Sequence, residues 1–117
     1  MIARPFALAL AALGLAAGGA LAHHGWGSYD AANKVTIASP VERLDWRNPH
    51  VQIVVRHEGA AWEAVLAPPS RMDARGLSTD LIKAGTPVEV EGYLSTQHPN
   101  EMRAERIVVA GQTYELR

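Results

Sequence analysis

Cysteine is absent, phenylalanine occurs once, and the charges nearly cancel, with eleven Lys and Arg against twelve Asp and Glu in 117 residues. Without thiols the chain has no disulfide staple, no cysteine nucleophile and no thiolate metal ligand, so packing and backbone hydrogen bonds must hold it together. The missing basic surplus argues against a nucleic-acid partner, because binding to phosphate backbones is dominated by Lys and Arg. Also missing are a Gly-x-Ser-x-Gly elbow, a His-Glu-x-x-His pair and a phosphate-binding glycine loop, and with them the usual sequence signs of an enzyme. The expectation is a non-catalytic protein.

One long apolar run is present, at the N-terminus. Met1 to Arg4 is a short cationic start, Phe6 to Ala17 is apolar, and Ala20-Leu21-Ala22 supplies the small residues of an A-x-A cleavage site. These are the three parts of a cleavable secretory signal. Residues 1–22 are therefore expected to be a signal peptide, with a mature chain of 95 residues that begins at His23 and resides in a bacterial periplasm or is secreted. The run is rich in Ala and Gly and lean for a span of about 20 residues, so no membrane span is expected after cleavage. What remains suits one domain, near the lower limit of size for an unstapled core.

Residues 23–34 follow neither a helical nor an alternating period and read as an irregular N-terminal arm; residues 35–117 read as a β domain. Val35 to Trp46 favours strand, and Pro40, which cannot donate to a ladder, marks a bulge or an edge within it. After the Arg47-Asn48-Pro49 turn, Val51, Ile53 and Val55 alternate with His50, Gln52 and Arg56, which points His50 away from the core. A hairpin at residues 57–60 leads into Ala61 to Ala67, with Trp62, Ala64 and Leu66 inward. Ser70 and Asp73 resemble a capping pair for a short helix over Ser70 to Arg75 that stops at Gly76, and Leu81 and Ile82 are expected to cover the core from this connection. Val88 to Leu94 alternates strictly, Met102 to Ala110 follows a loop, and Thr113 to Leu116 is a final strand. Three strands, a short helix, then two strands and a terminal hairpin is the order of a small OB-like Greek-key barrel with its helix between strands three and four.

The strings His23-His24-Gly25-Trp26 with Tyr29-Asp30, Trp46-Arg47-Asn48-Pro49-His50, Pro69-Ser70-Arg71 and Lys83-Ala84-Gly85-Thr86-Pro87-Val88 resemble a family of bacterial exported proteins catalogued as domain of unknown function 6152. The resemblance covers essentially all of the chain after the signal. It implies an exported β-barrel-like domain and carries no catalytic residues with it.

Two binding sites are expected from the residues themselves. Cleavage after Ala22 would give His23 a free α-amine that chelates together with its own imidazole, with His24 adjacent and His50 as a third imidazole. Nitrogen-rich sets of this kind suit copper best among first-row divalent ions, so a single copper ion on His23, His24 and His50 is one expectation. The other is independent of metal: Trp26, Tyr29, Trp46 and Asn48 would form a surface for a small ligand or a periplasmic protein partner. On an OB-like barrel, the loop holding His50 and the loop holding His98 would flank it. Arg47, Arg71, Arg75, Arg103 and Arg106 read as a solvated surface paired with the abundant Glu residues. Trp62 reads as core.

Overall fold

The computed structural model describes residues 26–117. The signal-peptide reading of residues 1–22, together with His23 and His24, lies outside the described residues. In chain order the elements are β1 (Tyr29–Pro40), β2 (Arg43–Asp45), β3 (Gln52–His57), β4 (Ala60–Val65), α1 (Pro69–Ala74), β5 (Pro87–Ser95), β6 (Glu101–Val109) and β7 (Gln112–Glu115). Single 3-10 turns occupy Trp26–Ser28 and Thr79–Ile82. The architecture is mainly β with one short α-helix, as the alternating sequence predicts.

All seven strands belong to one sheet in the order β1-β5-β6-β4-β3-β2, with β7 paired to β6. The ladders are antiparallel except for β4 with β6, where Glu63, Ala64 and Val65 run parallel to Glu101, Met102 and Arg103. The closed barrel expected from the element order does not form as a continuous hydrogen-bonded ring: β1 and β2 stand at opposite ends of the sheet and share no ladder. The break falls where the sequence places its constraint. Pro40 ends β1, and the chain then turns at Val41 and Glu42, whose amides bond Thr86 and Val54 carbonyls at 2.8 Å each. The Ser39 hydroxyl accepts from the Arg56 amide at 2.9 Å, so the corner is tied to β3 by a side chain where the ladder lapses.

Every second strand residue points to one side, and those side chains make the core. Ile37, Ile53, Val55, Ala64, Val90, Met102, Ala104 and Ile107 are essentially solvent-free, joined from the connections by Val51, Leu66, Met72, Leu77 and Ile82. Trp62 packs on this core as expected. The β3–β4 hairpin turns through Glu58 and Gly59, both at positive φ (50° and 78°), the geometry that matches hairpin twist. Two expectations change in the central connection. The helix starts one residue earlier with Pro69 in its first turn, and no side chain caps it; Pro69 has no amide to satisfy, and the Arg71 and Met72 amides both donate to the Pro68 carbonyl at 3.0 Å. Ile82 is buried but Leu81 is 39% exposed, because the 3-10 turn faces only one of the two neighbours inward.

Gly92 has a packing role. A bulge between Glu91 and Gly92 shifts the β5–β6 register, and a Cβ on Gly92 would lie 1.8 Å from the main-chain oxygen of Arg103. Only a residue without a side chain allows the two strands this approach.

Candidate functional site

The outer face of the sheet gathers polar groups where β6 passes between its neighbours. Arg103 alternates with inward Met102 and Ala104, and it lies opposite Tyr93 on β5 and Val65 on β4; Val65 lies opposite Gln52 on β3. An outward arginine would ordinarily be solvated, yet Arg103 is 7% exposed and Val65 is 5% exposed. The segment ahead of the sheet accounts for Arg103: the Trp26 ring centroid lies 4.6 Å from its guanidinium carbon. A second guanidinium, that of Arg117, sits at the same distance from Trp26, and Tyr29 and Tyr93 meet the indole edge-on at centroid separations of 6.4 and 6.0 Å. Trp26, Tyr29, Ala31, Tyr93 and Arg117 line a small open pocket.

The arm reaches this place because of local irregularity. Tyr29 pairs with Ser95 but Lys34 pairs with Tyr93, so five steps on β1 span two on β5. The surplus is taken up where the Asp30 carboxylate accepts from the Ala32 amide at 3.0 Å and from the Asn33 side chain, an Asx-type turn. Ahead of it, the Ser28 carbonyl accepts from both the amide and the hydroxyl of Thr96, each at 2.9 Å. Part of the segment expected to be irregular, residues 23–34, is therefore strand, and its tip is fastened to the β5–β6 loop.

Arg103 donates from Nη2 to His50 Nε2 at 3.3 Å. A guanidinium has only donors, so this ring nitrogen is the acceptor. The Tyr29 hydroxyl interacts electrostatically with the guanidinium, while Arg103 Nε is buried with no partner among the described residues. Burial draws the Arg103 pKa below its ordinary value, with Arg71 and Arg117 adding to the effect and Tyr29 opposing it. Burial likewise pushes the Tyr29 hydroxyl up, reinforced by the Glu101 and Glu63 carboxylates and opposed by Arg103.

Trp26, Tyr29 and His50 are thus brought together around Arg103. The others are not. Trp46 packs against the core, and Tyr93 stands in the pocket instead of it. Asn48 is exposed in a turn with a cis Asn48-Pro49 bond. His98 is exposed in the β5–β6 loop, where its amide donates to the Ser95 hydroxyl at 3.0 Å. No group of three His, Asp or Glu side chains suited to a metal ion occurs among the described residues, and no helix among them is long and apolar enough to cross a membrane.

The reading of the arginines as a surface paired with Glu holds for Arg106, which meets Glu91 at 3.1 Å and Glu115 at 2.9 Å. It fails for Arg103, which is buried and enters no ion pair among the described residues. Arg103, Tyr93 and Arg117 were not legible as site residues. One signal was available: Val65 falls on the outward positions of β4, and an apolar residue there points to a covered face.

Solved structures to which this chain is similar include two of TiaS. TiaS in its complex with tRNA(Ile2) and ATP shares 16% identity at a TM-score of 0.51, over 76% of this chain and 20% of that one. The ZRD-deleted mutant of TiaS in complex with agmatine shares 16% identity at a TM-score of 0.49, over 72% of this chain and 26% of that one. This chain therefore spans about a quarter or less of their length, and the likeness to the first is one of fold alone. No curated protein matches it in sequence. The model of a family of unknown function, DUF6152, matches residues 10–101, and the chain belongs to that family.

Proposed function

We propose that this is an exported, non-catalytic binding protein whose site is the pocket between the N-terminal arm and the outer face of the sheet. One observation carries the reading: Trp26 is held against Tyr29, Tyr93, Arg103 and Arg117 over an open cavity, a concave aromatic surface with a few placed polar groups. The scaffold is read as OB-like. In support, β1 and β2 are consecutive in sequence yet head opposite ends of the sheet, and β4 pairs in parallel with β6 across the helical connection. The periplasmic or secreted address rests on the signal-like residues 1–22.

The copper reading rests on the sequence of the mature terminus, with His23 and His24 as ligands. His50 is the weakest member of that set, because its Nε2 faces a buried guanidinium whose charge repels a cation. Native mass spectrometry of the exported protein tests both readings at once. The expected result is a chain beginning at His23 that retains a small ligand, and a Trp26→Ala variant that retains none. A bare chain, or equal retention by the variant, would overturn the pocket reading. A copper-bearing mass with affinity at or below about 1 μM, lost when a residue precedes His23, would establish the metal instead.

A further inference from the structure

We infer that the pocket takes a small ligand that joins a flat ring to an oxyanion, a carboxylate or a phosphate monoester, with Arg103 as the residue that recognises the negative group. The inference rests on the pocket being the binding site and adds the class of ligand.

Arg103 is the basis. A guanidinium stays protonated in proteins, so a residue with 7% exposure is a buried positive charge, which is costly unless an opposite charge or a full set of acceptors meets it. Among the described residues it meets neither. It forms no ion pair with a carboxylate; among the described residues its guanidinium donates to His50 Nε2, and Nε–H is left over. Trp26 answers the charge with the face of its ring, but an indole offers no lone pair to an N–H donor. The unsatisfied fork of a guanidinium matches the two oxygens of a carboxylate or phosphate.

Two further guanidinium groups lie close. Arg117 closes the pocket and Arg71 acts on Arg103 electrostatically; Arg71 makes no ion pair among the described residues and spends one donor on the Leu116 carbonyl at 3.4 Å. Three carboxylates lie near: Glu105 is 3.8 Å from Arg117, and Glu63 with Glu101 acts on Tyr29. Glu63 and Glu101 bound the region on the Tyr29 side, and Glu105, which sits beside Arg117 and accepts from the Tyr93 hydroxyl at 3.0 Å, bounds it on the other, which leaves the Arg103 fork as the place for an anion. Tyr29 and Tyr93 supply walls for the ring. Access to the buried Nε requires the indole to shift. The arm permits that, because its fastening to Thr96 is at Ser28, leaving Trp26 and Gly27 upstream of the anchor.

The test is a titration of the mature protein with benzoate, phenyl phosphate and the neutral benzyl alcohol, read by NMR at the Arg103 Nε–H and Trp26 indole N–H signals. The expected result is that one or both anions shift both signals and the alcohol binds at least about tenfold more weakly, the loss of one charge-assisted contact. Which anion binds more tightly separates carboxylate from phosphate. Arg103→Gln should weaken the anion by at least about tenfold and leave the alcohol unchanged. Should that variant fail to fold, the exposed Arg117→Gln carries the same comparison, with an expected loss of about threefold. Equal binding of the alcohol would overturn the inference while leaving the pocket reading intact. No shift from any probe up to about 10 mM would also overturn it, whereas the pocket reading falls only with the native-mass result.

Discussion

At Arg103 and its neighbours both faces of β6 are shielded from water, for opposite reasons. On the inner face Met102, Ala104, Ile107 and Val109 are buried because the sheet packs apolar side chains on α1 and the connections, and removing that area from water is itself the driving force. On the outer face Arg103 is buried against that force, under an arm fastened at Ser28. The first kind of burial stabilises a fold. The second costs free energy that the rest of the fold must offset, and such positions tend to be where function resides.

Substitutions can break this contrast, and the largest effect is expected where the faces are coupled. Gly92→Ala places a Cβ against the Arg103 carbonyl, which the backbone cannot yield to without parting β5 from β6. It should cost more than the about 1–3 kcal/mol of ordinary overpacking, and a denaturant midpoint close to that of the native protein would show that the strands do not approach so closely. Next comes the pair that sets face against face. Ile107→Ala, a truncation in the core, should lose about 2–5 kcal/mol, whereas Trp26→Ala should lose on the order of 1 kcal/mol while raising hydrogen exchange only over the arm. Similar losses from both would mean that the arm is part of the core.

The smallest effect is a pH dependence of the outer face alone. Because burial holds the Tyr29 hydroxyl above its ordinary value of 10.0, the folded state prefers the neutral phenol. Its contribution is complete below pH 10 and is lost as the pH rises through the elevated value. Phenolate absorbance should show one tyrosine ionising late, absent in Tyr29→Phe, and that variant should have a shallower alkaline loss of stability. An unchanged titration in Tyr29→Phe would place the late group elsewhere.

The inner face was readable from sequence because alternation is a local property. Val51, Ile53 and Val55, or Val88 and Val90, announce their side without knowledge of the partner strand, and all five are buried. Gly76 at the end of the helix, with φ of 82°, was readable for the same reason. The site was only half readable. Trp26, Tyr29 and His50 stood out by residue type, but Arg103 looks like any strand arginine, since what buries it is an indole 77 positions earlier in the chain. Trp46 drew attention as an aromatic beside a turn, yet whether such a ring covers the core or faces a ligand depends on the corner between β1 and β2, where the ladder lapses.

The single parallel ladder has a consequence for the order in which the chain can mature. β3 with β4 and β5 with β6 are neighbours in sequence and can zip on their own, but β4 meets β6 only after the segment holding α1 has been crossed. Until Glu101 to Arg103 arrive, Glu63 to Val65 present an unpaired edge, the kind of template on which another chain can add. A nascent molecule therefore exposes strand edges for defined intervals, at residues 63–65 until β6 is made and along β1 until β5 is made.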